Sequence, residues 1–239
     1  MSAETDRWIL ESRKRLIATD AKRRQYQPLA GKTMPEVEDL PIGGSRSFHL
    51  AVLSIDIRGF TNISLKLNNP RIAELARLQA LYLTEMSSII RNRGGVTEKY
   101  TGDGVMGLFG TESETSATED VRHALSAALD AKLLVPHCLN PYLKEKGLPE
   151  IECGMGIDYG PVLMEKVGLL GENQFSLTGP TVSLAAKLQS AAAPGQILIG
   201  SDVERRLPSD WKHLVQPPPK SWTDKGLYPG FLFAGVWTE

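Results

Sequence analysis

The chain has 239 residues, a formal net charge of −1, and 41% hydrophobic and 23% charged residues. That balance lies in the globular range and excludes wholesale disorder, while near-neutrality excludes a global basic field for nucleic acid. No apolar run approaches the roughly 20 residues that span a bilayer, and the charged start, Met1 to Leu16, lacks a signal peptide's apolar stretch. The expected location is cytoplasmic. Cys138 and Cys153 have no metal or redox spacing and read as small buried or half-buried thiols in a reducing compartment.

In chain order, residues 1–26 predict a charged helix. Arg7, Arg13, Lys14, Arg15, Lys22, Arg23 and Arg24 surround a thin apolar set, Trp8, Ile9, Leu16 and Ile17. Such a helix docks on a core or a second subunit, or serves as a basic arm. Pro28, Pro35, Pro41, Gly43 and Gly44 make 27–46 a linker, so the expected domains are an extension over 1–46 and a main domain over 47–239. His49 to Ile57 is an apolar run of strand length. Asn69-Pro70 offers a helix cap with proline at the first helical position. Leu75, Leu78, Tyr82, Met86 and Ile89 then form one buried helical stripe, which Gly94-Gly95 ends.

Val96 to Tyr100 and Val105 to Phe109 predict two strands around a Thr101-Gly102-Asp103-Gly104 turn. A helix over Ala117 to Leu134 is expected to turn Val121, Leu125, Ala128 and Leu133 towards a sheet. Strands follow at 151–158, 161–167 and 175–177, a helix at 181–191, a short strand at Ile197 to Ile199, and irregular β structure from Trp211 to Trp237. From residue 49 the order is βαββαβ with additional strands, an α+β, ferredoxin-like arrangement. In that topology the first and third strands are antiparallel neighbours. The end of the first, bearing Asp56, then meets the hairpin tip bearing Asp103.

Asp56 ends an apolar strand and by alternation shares a face with Val52 and Ser54. A carboxylate there is costly unless paired or metal-bound. Gly59 permits close backbone approach to a ligand. The amides of Phe60 and Thr61, opening the next helical segment, would face phosphate oxygens. Asp103, flanked by two glycines, also fits ordinary turn chemistry. As a pair brought together by topology, the two aspartates favour a site for hard cations such as Mg²⁺ or Mn²⁺. Two such ions roughly 3.5–4 Å apart serve attacking and leaving oxygens alike.

Three segments resemble the class III nucleotidyl cyclases, the adenylyl and guanylyl cyclase catalytic domains. They are Ile55-Asp56-Ile57-Arg58-Gly59-Phe60-Thr61, Gly94-Gly95 with Lys99 to Met106, and Gly154-Met155-Gly156-Ile157-Asp158-Tyr159-Gly160-Pro161-Val162. The likeness covers about residues 47–200. It implies a head-to-tail homodimer with active sites at the interface. One subunit would supply Asp56, the carbonyl of Ile57, and Asp103 for two Mn²⁺ or Mg²⁺ ions per site. The other would supply base and transition-state contacts. The 3′-oxygen of a nucleoside triphosphate would attack its α-phosphorus and release pyrophosphate.

The resemblance makes Lys99 a base reader, although a solvated strand lysine is the alternative. It departs from the family at three positions. Ser176 stands where the family reads the base with an acidic residue or threonine. Ser183 replaces asparagine, and Lys187 replaces arginine, retaining charge without the planar fork. Lys225 is the counterpart expected to hold the terminal phosphate. Ser176 lacks a fixed acidic acceptor for a purine amine, and discrimination built on such bonds reaches roughly 10⁴. The retained aspartates favour an altered base over a decayed site. The preferred expectation follows the bacterial branch that makes cyclic pyrimidine nucleotides in antiphage defence: a uridylate cyclase turning UTP into cyclic UMP. An adenylate cyclase making cyclic AMP, resting on Lys99, and a catalytically silent nucleotide-binding dimerisation module, resting on Ser183 and Lys187, are the alternatives.

Overall fold

A computed structural model describes residues 29–30, 40–67, 71–110, 116–169, 172–223 and 229–236. The expected helix over 1–26, the Asn69-Pro70 cap, Lys225 and Trp237 lie outside the described residues. Strand β1 (Leu29–Ala30) pairs parallel with β2 (Ser45–Ile57). Helices α1 (Phe60–Lys66) and α2 (Ile72–Asn92) follow, then the β3 (Val96–Thr101) and β4 (Gly104–Phe109) hairpin. Helix α3 (Ala117–Leu134) runs through a π turn (Val135–Leu139) into α4 (Asn140–Glu145). Next come β5 (Cys153–Leu169), β6 (Glu172–Thr178), α5 (Pro180–Ala191), β7 (Ile197–Gly200) and α6 (Ser201–Arg205). A 3₁₀ segment (Ser209–Leu214), β8 (Val215–Gln216), α7 (Lys220–Thr223) and β9 (Gly230–Phe233) complete the described chain.

The sheet runs β3-β4-β2-β5-β7-β9-β8, with β1 added on β2 and β6 on β5. Its β2–α–β3–β4–α–β5 core is the predicted βαββαβ, and β2 lies antiparallel between β4 and β5. The unbroken apolar run of β2 follows from burial on both faces. Ala51, Leu53, Ile55 and Ile57 join the core under α2 and α3, with Leu78, Tyr82, Met86, Val121 and Leu125. Phe48, Leu50 and Val52 enter a second cluster with Met106, Leu108, Met164 and Ala185 of α5. Ser116 caps α3 by accepting from the Glu119 amide at 3.3 Å, the expected use of a serine at that position.

Four expectations need correction. First, Leu133 is 48% exposed, whereas Val121, Leu125 and Ala128 are buried. Five residues beyond Ala128 is about 140° round a helix, so Leu133 leaves the sheet-facing stripe. Second, the strands expected at 151–158 and 161–167 are one 17-residue strand, β5. Pro161 does not break it, because β7 pairs only with 155–157 and β6 only from 163. Its missing N–H therefore falls where one flank has no strand partner, and its carbonyl accepts from Thr181 Oγ1 at 3.1 Å. Third, the tail from Trp211 contains a 3₁₀ turn and a short helix as well as strands. Fourth, Cys138 is exposed on the π turn; Cys153 is buried, and burial pushes its thiol up to about 12.

Candidate active site

Asp56 lies in register with Gly104 of β4 on one side and Gly154 of β5 on the other. Asp103 sits in the two-residue turn between Thr101 and Gly104, where Gly102 adopts φ +72°. A methyl group at Gly104 would lie 3.1 Å from Asp56 Oδ1 and 2.5 Å from Thr101 Oγ1. Glycine is what lets the Asp56 carboxyl fold towards the hairpin tip. Helix α2 holds that tip: Gln79 Nε2 donates to the Gly102 carbonyl at 2.6 Å, and Ser87 Oγ meets the Tyr100 hydroxyl at 3.1 Å.

The two carboxyls come within hydrogen-bonding reach of one another, and the Asp103 acid is raised to about 6. Burial is the main cause and the Asp56 charge the next, as expected for neighbouring carboxylates at a poorly solvated edge. Tyr82 lies on α2, fully buried, its hydroxyl without a hydrogen-bond partner among the described residues. Burial raises its pKa well above the ordinary phenol value, and Cys153, Asp56 and Asp103 add to the effect.

Gly59 caps α1 at φ +68°, a left-handed conformation that favours glycine. It turns the chain so that Phe60 and Thr61 open α1 one turn beyond Asp56. Among the described residues neither of their N–H groups meets a backbone acceptor. Ile57 ends β2 opposite Cys153. Asp56, Ile57, Gly59, Phe60, Thr61 and Asp103 thus gather at one end of β2.

The other expected residues stand apart. Lys99 projects from β3 after a bulge and is ion-paired with Glu98 at 3.4 Å. Ser176 is half-buried on β6, opposite Glu165. Ser183 and Lys187 are exposed on α5. No hydrogen bond or ion pair among the described residues joins any of these four to Asp56 or Asp103.

Two further residues complete the edge and escape sequence reasoning. Gln189 Nε2 donates to Asp56 Oδ2 at 3.2 Å. Arg58 Nη2 donates to the Gln189 carbonyl at 2.7 Å, and the guanidinium lies over Gly154, where a methyl group would be 2.4 Å from Nε. The available signal was helical phase. Gln189 follows Thr181, Ala185 and Leu188 on the buried side of α5, and a polar residue at a core phase needs a partner.

Among the described residues no group of three or more His, Cys, Asp or Glu side chains can close round a metal ion. The donor set is two converging carboxyls and a strand-end carbonyl, all hard oxygens. That set fits an open site for Mg²⁺ or Mn²⁺ completed by phosphate oxygens and water, and a cation there would offset the Asp56 charge that adds to the effect of burial on Asp103.

A family profile described as the adenylate and guanylate cyclase catalytic domain matches residues 45–216. The chain belongs to that family, the class III cyclase catalytic domains. It is 27% identical to a uridylate cyclase from Burkholderia cepacia, over 89% of this chain and 95% of that protein. It is 29% identical to an adenylate cyclase from Anabaena cylindrica, over 72% of this chain but 33% of that longer protein. Among solved structures it resembles the adenylyl cyclase CyaB from P. aeruginosa, with TM-score 0.66 and 28% identity over 79% of this chain and 93% of that one. The guanylyl cyclase Cya2 gives the same TM-score at 26% identity, over 81% of this chain and 95% of that one. Among the described residues no helix is long and apolar enough to cross a membrane.

Proposed function

We propose that this chain is a uridylate cyclase: it converts UTP into 3′,5′-cyclic UMP and pyrophosphate. The observation that carries the cyclase reading is the convergence of Asp56 and Asp103 across the β2–β4 ladder. Asp56, the Ile57 carbonyl and Asp103 would hold two Mg²⁺ or Mn²⁺ ions. When bound, the ions would supply positive charge to the attacking and leaving oxygens and to the α-phosphate. The amides of Phe60 and Thr61, opened by Gly59, would receive phosphate oxygens. Lys225 is the proposed partner of the terminal phosphate.

The remaining groups come from a second copy in a head-to-tail homodimer. Ser183 and Lys187 stand on the exposed face of α5, and no side-chain hydrogen bond or ion pair among the described residues engages them. Lys187 would steady charge on the α-phosphate as the 3′-oxygen bonds to phosphorus and the bond to the β-phosphate oxygen breaks. Lys99 and Ser176 would read the base. Lysine offers donors to a uracil carbonyl, and a serine hydroxyl both donates and accepts.

UTP is preferred because Ser176 supplies no fixed acidic acceptor for a purine amine, and because a relative named uridylate cyclase matches over nearly its full length. A cytoplasmic location, an extension over 1–46 before a catalytic domain over 47–239, and a role in antiphage defence belong to the same reading. Lys99 favours a second reading, an adenylate cyclase. The test is incubation of purified chain with ATP, GTP, CTP and UTP separately in Mn²⁺, followed by separation of products. Cyclic UMP from UTP is expected. Conversion of ATP alone would replace the first reading by the second, and binding without any product would replace both by the silent module.

A further inference from the structure

Asp56 has two carboxylate oxygens with different surroundings. Oδ1 lies on the hairpin side, 3.1 Å from where a methyl group at Gly104 would stand. Oδ2 accepts from Gln189 Nε2 at 3.2 Å. A carboxylate can only accept, so the amide presents its NH₂ and one oxygen is committed to α5. We propose that Gln189 is a positioning residue for the metal centre, fixing the Asp56 carboxyl so that its other oxygen faces Asp103 and the ions. The inference rests on the metal role proposed above for the two aspartates.

The Gln189 backbone is itself held in place. The residue is 7% exposed. Its main-chain carbonyl accepts from Arg58 Nη2 at 2.7 Å, and the Arg58 main-chain N–H donates to the Glu152 carbonyl at 2.7 Å. A methyl group at Gly156 would come within 2.2 Å of the Gln189 amide nitrogen, so the helix sits against bare backbone of β5 at this residue. Asp56, Gln189 and Arg58 therefore close a ring that returns to the chain two residues after the aspartate.

The chemistry suits a supporting role. A neutral amide steadies the carboxylate without cancelling its charge. An ammonium or guanidinium on Oδ2 would compete with a divalent ion, and a second carboxylate would repel Asp56. Groups that orient ligating carboxylates in this way commonly govern metal affinity by roughly 10- to 100-fold.

The test uses the full chain with Gln189→Met, which keeps the unbranched shape, and Gln189→Asn, which keeps an amide but shortens its reach. Mn²⁺ is titrated without nucleotide and its uptake followed by loss of the free-ion electron paramagnetic resonance signal. The Mn²⁺ concentration for half-maximal turnover is measured alongside. Both variants should bind Mn²⁺ roughly tenfold or more weakly. Turnover should recover at high Mn²⁺, with KM for the triphosphate unchanged. Wild-type Mn²⁺ affinity in both variants, or a loss of turnover that saturating Mn²⁺ does not restore, would overturn the positioning role. If Gln189→Met does not fold, Gln189→Asn decides alone. Asp56→Ala separates the two layers: if it takes up as much Mn²⁺ as the wild type, the metal reading fails and this inference with it. If Asp56→Ala loses uptake while the Gln189 variants keep it, only the role of Gln189 fails.

Discussion

Asp103 is held between glycines on a hairpin tip, and Asp56 is held from both flanks by Gly104 and Gly154. Neither carboxyl has a side-chain substitute nearby, since no third acidic side chain completes a metal cluster among the described residues. Asp56→Ala or Asp103→Ala should therefore lower turnover at least about 10²- to 10³-fold, the scale of losing one preorganised electrostatic group, while the circular dichroism spectrum stays unchanged. A variant of either residue that retains wild-type turnover would remove that aspartate from the mechanism.

A third aspartate gives a stability prediction of opposite character. Asp158 is 3% exposed, its Oδ1 has no hydrogen-bond partner among the described residues, and burial raises its acid to about 7 despite the Tyr159 amide. Asp202 raises it further, while Arg206 and Arg205 oppose the shift. Below about pH 4 the carboxyl is protonated in both states and costs nothing. As pH rises towards about 7 the unfolded chain ionises and the folded one resists, so stability falls over that window and then levels. Asp158→Asn should remove that slope. Its melting temperature should match the wild type near pH 4 and exceed it above pH 7. Parallel pH profiles for the two proteins would contradict this account.

At the scale of elements, helical phase separates two leucines of α3. Leu125 is fully buried and Leu133 is 48% exposed. Leu125→Ala should cost about 2–5 kcal/mol by denaturant titration, and Leu133→Ala less than about 0.5 kcal/mol. The core helices and the hairpin were legible because apolar spacing and glycine turns are local signals. The break expected between 158 and 161 is absent because whether a proline interrupts a strand depends on which neighbour lies beside it, and the gap between β6 and β7 is a tertiary fact. Leu133 departs for a different reason: it is apolar but does not share the phase of the buried stripe. Within the site, topology brought Asp56 and Asp103 together from sequence order alone. Gln189 and Arg58 were not legible as partners, because their bonds cross from β2 to α5 and depend on glycines whose significance is steric. Glu98 was equally hidden. Only the bulge in β3 lets adjacent Glu98 and Lys99 form an ion pair, since successive strand residues otherwise face opposite sides.

For the whole molecule, the proposed homodimer can be tested through the separation of its groups. The proposed metal residues gather at one end of β2, whereas Ser183 and Lys187 project from the exposed side of α5 and touch neither aspartate. A head-to-tail pair would bring each set to the other's site, and a two-fold dimer would then carry two composite sites. That geometry predicts complementation. Asp56→Ala and Lys187→Ala homodimers should each be nearly inactive. Mixed after reversible dissociation in equal amounts, half of the dimers become heterodimers. Each heterodimer holds one site with both defects and one with neither. Turnover should therefore return to about a quarter of the wild-type value per subunit. The recovery should follow the kinetics of subunit exchange and vanish when both substitutions share a chain. A mixture that stays inactive while exchange is complete would place Lys187 and Asp56 in the same subunit's chemistry, or outside it altogether.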